Sequence, residues 1–305
     1  SPDDPYLYKI VTEVKTNGVS ADSMKVRFGF RKIEAKPNGL FINDKYIKIK
    51  GFCNHQDHAG VGTAVPDKVR LYRLQLLKEM GCNAIRIHHS LAPEILDYCD
   101  SLGILVLSET RQFGSNALAM KEFENQLIRD RNHPCVFMWC LGNEQNYTQN
   151  TDIGRRIALT MMSKQNELDP TRTITYGGNN GGKKRVGINS VIPVRGFNYY
   201  IDESIQYKKN NPQQPILATE ASSSLATRGV YFPIKGDGYR PDYDRENEPW
   251  WKIAAENDWF MGGFSWTGFD YRGENQYPAV ICNFGIMDLC GFPKNAYYYY
   301  KSWWT

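Results

Sequence analysis

Val136-Phe137-Met138-Trp139-Cys140-Leu141 is an unbroken apolar run that stops at Gly142-Asn143-Glu144. Such a short run reads as a buried strand, and it leaves a carboxyl group at the edge of an apolar wall. Comparable β-branched or aliphatic runs occur at 47–53, 84–87, 104–107, 173–176, 196–199, 216–220 and 263–266. Longer helical patterns lie between them. Across 66–80, Val69, Tyr72, Leu76, Leu77 and Met80 keep an i, i+3, i+4 stripe behind Pro66, a residue suited to a first helical turn. The pattern over 93–102 ends at Gly103, a C-cap signal, and that over 152–168 ends at Asp169-Pro170. Eight β-then-α units in about 260 residues have the size and rhythm of an α/β fold closed as a (β/α)8 barrel. A doubly wound sheet would want a glycine-rich dinucleotide loop after its first strand, and Gly51-Phe52-Cys53-Asn54-His55 is not one.

Residues 1–36 read differently. Tyr6-Leu7-Tyr8-Lys9-Ile10-Val11-Thr12-Glu13-Val14 and Ser23-Met24-Lys25-Val26-Arg27-Phe28-Gly29-Phe30 alternate in the manner of strands, with the hairpin signal Asn17-Gly18 between them. So few strands bury little by themselves, so the segment is expected to close a β-sandwich begun outside this chain. Pro37-Asn38-Gly39 breaks the pattern. The expected division is therefore 1–36, incomplete sandwich, and 37–305, barrel.

The 305 residues carry 37 Lys plus Arg against 33 Asp plus Glu, a net charge of +4 too mild to argue for nucleic acid. With 41% hydrophobic and 23% charged residues, a packed core is expected rather than disorder. No apolar run approaches the roughly 20 residues of a membrane span, so a soluble chain without a membrane partner is expected. Ser1-Pro2-Asp3-Asp4-Pro5 has no export-signal character, which leaves the compartment, periplasmic or cytoplasmic in a bacterium, open. The seven cysteines are scattered and contain no C-x-x-C pair, against both a disulfide framework and a zinc ribbon. Aromatics reach 13%, which suits sugar rings and plain cores alike.

Chemistry in such a barrel collects at the carboxyl ends of the strands. Those ends read Asn54-His55-Gln56-Asp57-His58, Arg86-Ile87-His88-His89, Glu109, Asn143-Glu144, Asn198-Tyr199-Tyr200, Glu220 and Trp266. Glu144 and Glu220 each close an apolar run. A carboxyl group partly desolvated in this way can hold a proton near neutral pH, and a second, Arg-paired carboxylate opposite would complete the parts for glycoside hydrolysis. Arg86 is the candidate charge partner of Glu220. On this pattern alone, the lesser alternative is that both glutamates are surface or capping residues.

Five segments in order resemble glycoside hydrolase family 2, which holds β-galactosidases, β-glucuronidases and β-mannosidases. Asn83-Ala84-Ile85-Arg86-Ile87-His88-His89 is similar to its N-A-[IV]-R-x-S-H segment. His133 to Glu144 is similar to its H-P-S-[VI]-x-x-W-S-L-G-N-E acid/base signature. Ile216-Leu217-Ala218-Thr219-Glu220-Ala221 resembles its nucleophile strand, and Gly262-Gly263-Phe264-Ser265-Trp266 its strand-eight segment. The stretch 3–30 resembles the end of the immunoglobulin-like domain that precedes the barrel. The resemblance implies a retaining exo-β-glycosidase acting on terminal β-D-galactosides, with Glu144 as acid/base and Glu220 as nucleophile. It implies that Asn143 binds the sugar 2-hydroxyl, that His55, Asp57 and His89 contact the glycone, that Arg86 orients Glu220, that Tyr199 lines the site, and that Trp266 forms an apolar wall. It implies no cofactor, a β-linked glycoside as partner, and N-terminal domains that pack on the barrel; a second copy of the chain is a further candidate partner.

The chain departs from the family at Cys53 and Asn54, at Ser108-Glu109 where the family often has D-E, and at His88 where a small residue is usual; the last two lie on the sugar-facing rim. Thr110-Arg111-Gln112-Phe113-Gly114 lacks the carboxylate of the family's metal segment, so no metal is expected. β-Glucuronidase and β-mannosidase are alternatives of the same chemistry, although no Asn-x-Lys pair of the glucuronidase kind is present. A barrel that binds carbohydrate without cleaving it is an alternative from another class, and retention of both glutamates argues against it. Gly177-Gly178-Asn179-Asn180-Gly181-Gly182-Lys183 imitates a phosphate loop, but Lys184 stands where Ser or Thr belongs. A metal cluster at His55, His58, His88 and His89 lacks a third ligand at helical spacing. Asn146-Tyr147-Thr148 fits a glycosylation sequon beside the expected acid and reads as incidental.

Overall fold

The computed structural model describes residues 1–88, 92–180, 185–232, 240–243, 245–274 and 280–305. At the N-terminus, β1 (Tyr8–Thr16) and β2 (Val19–Phe28) form an antiparallel hairpin. Asn17 and Gly18 take φ of +52° and +82°, the paired left-handed conformation of a type I′ turn. All of β1 is exposed, because two strands have no second layer to bury against. Arg27 ties the hairpin to Asp97 at 2.7 Å, and Arg31 donates to Pro134 O at 2.9 Å.

Three short strands follow, β3 (Ile33–Lys36), β4 (Gly39–Ile42) and β5 (Lys45–Ile47), in the order β3-β4-β5. The division expected between residues 36 and 37 thus falls in the turn joining two paired strands. Leu40 and Ile42 are buried in one cluster with Ile49, Leu105, Leu107, Met138 and Phe264, so this small sheet closes one end of the barrel.

The barrel consists of β6 (Ile49–Asn54), β7 (Ala84–Ile87), β8 (Leu105–Glu109), β9 (Val136–Asn143), β10 (Ile174–Gly178), β11 (Arg195–Asn198), β12 (Ile216–Ser223) and β13 (Phe260–Trp266). They pair in parallel and in sequence, and β13 closes on β6. Helices α1 (Asp67–Glu79), α2 (Pro93–Leu102), α3 (Ala117–Asp130) and α4 (Asp152–Leu168) follow the first four strands, and α5 (Glu203–Asn210), α6 (Asn247–Glu256) and α7 (Asn295–Trp304) the last three. The fifth unit differs from the expected rhythm: among the described residues only a 3-10 turn, Gly187–Ser190, stands between β10 and β11. Gly187, Asn189 and Ser190 favour turns, and β-branched Val191 and Ile192 stand directly before Pro193, so this stretch favours no longer helix. Local caps fix the other helices. Gly103 ends α2 at φ +69°, and the side chains of Asn116 and Thr151 accept from the N–H groups of Ala119 and Gly154. A short pair, β14 (Tyr271–Arg272) and β15 (Ile281–Cys282), folds over the rim after β13.

Strand alternation sorts the side chains into two apolar layers. Ile85, Ile87, Val106 and Trp139 pack outward against the helices. Ala84, Leu105, Leu107, Met138 and Cys140 point into the barrel. That same alternation turns Arg86 and Glu109 inward, where both are fully or almost fully buried. All seven cysteines are free, and six are buried. No helix among the described residues is long and apolar enough to cross a membrane.

Candidate active site

Arg86 is the hub of the polar floor. Its Nε and Nη2 donate to Glu109 Oε2 at 2.8 and 2.6 Å, Nη1 donates to Glu220 Oε2 at 2.8 Å, and Nη2 donates to Asn143 Oδ1 at 2.7 Å. Burial raises the proton affinity of Glu109, but the Arg86 guanidinium and His88 outweigh it and hold its carboxyl at about 2. Cys140 Sγ donates to the same Glu109 oxygen at 3.4 Å, and burial keeps that thiol protonated well above its usual range. Removing the guanidinium would strand two buried carboxylates. Arg86→Met is therefore expected to lower stability by about 3–5 kcal/mol; urea unfolding measures it, and a loss below about 1 kcal/mol would mean that the carboxylates do not depend on Arg86.

Glu144 is the first residue past β9, and Tyr199 the first past β11. Both are held at positive φ, +46° and +57°. The Glu144 N–H donates to Gly177 O at 2.9 Å, and the Tyr199 N–H donates to Glu220 O at 2.7 Å, so the neighbouring strands hold each bend. Non-glycine residues keep such backbone only where their surroundings over-determine it. Asn198 then joins the two carboxylates. Its Nδ2 lies 2.8 Å from Glu144 Oε1 and 3.4 Å from Glu220 Oε2, and donates to Asn143 Oδ1 at 2.7 Å. The nearest oxygens of Glu144 and Glu220 are thus no farther apart than those first two lengths laid end to end. Thr219 Oγ1 donates to Asn198 Oδ1 at 2.7 Å and fixes which way the amide faces.

The two glutamates have unlike surroundings. Glu220 accepts from Arg86 on Oε2 and from the Tyr199 hydroxyl on Oε1 at 2.5 Å. Among the described residues Glu144 has amides only, Asn198 on one oxygen and Asn179 Nδ2 on the other at 3.1 Å. Burial pushes the Glu144 carboxyl above the ordinary range; the Asn198 hydrogen bond opposes this, and the charge of Glu220 adds to it.

Across the barrel mouth lies an aromatic corner. The Trp266 ring, almost wholly buried, meets His55 at 4.9 Å and His88 at 5.3 Å, both edge to face. His55 stacks on Tyr271 at 3.9 Å, and Trp266 Nε1 donates to the Tyr271 hydroxyl at 3.0 Å. Asp57 is turned to the rim: both its oxygens accept from Arg272, one from the backbone N–H at 2.7 Å and one from the guanidinium. It anchors β14 over the mouth. His89 lies outside the described residues, as do residues 181–184 of the phosphate-loop imitation. Asp97, Asp100 and His133 form the one group of carboxylates and imidazole among the described residues whose ligand atoms converge. They lie away from the glutamates, and Arg27 already occupies Asp97 while His133 and the Cys135 N–H occupy Asp100.

The structure thus brings Glu144, Glu220, Arg86, Asn143 and Tyr199 into one hydrogen-bonded set, with His55 and Trp266 opposite. The sequence reading missed Asn198 and Asn179 as site residues. Asn198 was visible as a polar strand end. Asn179 sat inside the glycine-rich stretch, where nothing marked it as pointing to Glu144.

Residues 33–125 and 114–305 match the sequence profile described as "Glycosyl hydrolases family 2, TIM barrel domain". The β-galactosidase BoGH2A of Bacteroides ovatus is 33% identical over 99% of this chain and 44% of its own length. The crystal structure of a β-glycosidase from Bacteroides vulgatus superposes with a TM-score of 0.86 at 32% identity, covering 100% of this chain and 45% of that one. A β-galacturonidase from Eisenbergiella tayi, bound to galacturonate, superposes with a TM-score of 0.87 at 26% identity, covering 100% and 59%. The chain spans about half the length of these relatives.

Proposed function

Because the chain belongs to glycoside hydrolase family 2, we propose that it is the catalytic part of a retaining exo-β-glycosidase acting on terminal β-D-galactosides. The observation that carries this reading is the single Asn198 amide within hydrogen-bonding reach of both Glu144 and Glu220. Sharing one amide nitrogen holds their nearest oxygens closer together than the about 6.5–9.5 Å that leaves room for an attacking water, which supports the retaining reading. Glu220, oriented by Arg86 and Tyr199, attacks the anomeric carbon from one face. Glu144, whose carboxyl is biased toward its protonated form, gives its proton to the leaving oxygen; the glycosyl ester on Glu220 is then hydrolysed by a water that Glu144, now ionised, deprotonates. Asn143 is proposed to hold the 2-hydroxyl, with Trp266, His55 and His89 lining the glycone. Asp57 serves the site by anchoring β14 through Arg272. The exposed hairpin β1–β2 is proposed to complete a sandwich with further strands of the polypeptide.

A uronide glycone is the second reading, favoured by the galacturonate-bound structural relative. Incubation with an activated 2-deoxy-2-fluoro-galactoside is expected to add one glycosyl group to the peptide containing Glu220. A panel of nitrophenyl β-glycosides ranks galactoside against glucuronide, galacturonide and mannoside. No adduct and no nitrophenol from any sugar would leave only the binding barrel.

A further inference from the structure

His88 stands where the family usually has a small residue, and the structure gives it a defined setting. Its Nδ1 is shut off from solvent and lies 3.2 Å from Glu109 Oε1. Glu109 is in turn fixed by two nitrogens of Arg86. The His88 ring is also wedged edge-to-face against Trp266 and lies 5.7 Å from the ring of His55. Its side chain is 16% accessible. Since Nδ1 is covered, the accessible surface lies on the rest of the side chain, where Nε2 is the remaining polar atom.

The order of strands says what that edge faces. Glu144 and Glu220 come from β9 and β12, which bound the arc β9-β10-β11-β12; His88, His55 and Trp266 follow or end β7, β6 and β13, on the opposite arc. If the anomeric carbon sits between the two carboxylates, the far side of the pyranose, its C3–C4 edge, meets the opposite arc. Through Glu109 and then Arg86 the ring is linked to Glu220 and Asn143, so it borders the same hollow.

We propose that His88, positioned by Glu109, is a substrate-contacting residue that sets glycone preference through a hydrogen bond between its ring and one hydroxyl of the C3–C4 edge. This rests on the glycosidase reading above. Because the contact lies away from the breaking bond, it holds ground state and transition state alike, and its loss raises KM more than it lowers kcat.

The test compares the wild type, His88→Ser and His88→Gln on the best nitrophenyl glycoside and on its 3-deoxy and 4-deoxy analogues, with thermal melts to confirm folding. With the parent sugar, His88→Ser is expected to lose about 10- to 100-fold in kcat/KM, mostly through KM. His88→Gln, whose amide reaches the Nε2 position, is expected to recover part of it. On one of the two deoxy sugars the wild type and His88→Ser should agree within about twofold, since the partner hydroxyl is gone. An equal loss on the parent and both deoxy sugars, or a loss confined to kcat, would overturn the proposal and leave His88 as a support for Glu109. A wild type that cleaves no glycoside would remove the glycosidase reading itself, which the same assay reports first.

Discussion

Glu220→Gln is expected to cut kcat on every glycoside by at least about 10⁴-fold, some 5.5 kcal/mol of barrier. The amide has the size of the carboxylate but cannot bond the anomeric carbon, and Glu220 is the one carboxylate of β12. The amide also puts a donor where Arg86 and Tyr199 both donate, so one of those contacts is lost as well. A thermal melt of the variant separates a fold defect from a chemical one. Steady-state release of nitrophenol checks the loss, and retention of more than a tenth of wild-type kcat in a folded variant would place the nucleophile elsewhere.

Glu144→Gln should behave differently, and the difference defines its role. With an alkyl or sugar leaving group, which needs a proton, the loss is expected to be about 10²- to 10⁴-fold. With 2,4-dinitrophenolate, which departs without one, the glycosylation step should change little. The pH profile gives an independent check. Glu144 acts as acid in its protonated form, which is present below its pKa and lost as pH rises through it. Burial raises that pKa above the ordinary carboxylate range. The alkaline limb of kcat/KM in the wild type should therefore lie above the usual carboxylate region and be missing in Glu144→Gln. Equal losses on good and poor leaving groups would count against the assignment of Glu144 as the proton donor.

Much of this architecture is legible because it is local. The buried strands announce themselves as unbroken apolar runs, and the observed β9, Val136–Asn143, and β7, Ala84–Ile87, lie where those runs stand. Helix ends follow from Pro93, Gly103, Asn116 and Thr151, which act on backbone groups a few residues away. The fifth unit is the exception: the alternation leads one to expect a helix, and the described residues between β10 and β11 hold only a 3-10 turn.

Side-chain direction is less legible. Asn198 follows a register shift between β11 and β12, and a one-residue change in register reverses the face a side chain takes. No spacing in the sequence reveals that shift. Asp57 is a comparable case. Its neighbours suggest a sugar contact, whereas its ion pair is with Arg272, far along the chain.

By itself, the sequence determined the alternation of strand and helix, the closure of that alternation into a barrel, and the placing of Glu144 and Glu220 at strand ends, because each depends on hydrophobic period and on residues adjacent in the chain. Only the tertiary structure decided that one Asn198 amide would join the two carboxylates, that Arg86 would serve Glu109 and Glu220 together, and that Asp57 would face the rim. Those outcomes depend on strand register and on pairs remote in sequence, where a bend of a single residue decides whether a polar atom enters the barrel or leaves it.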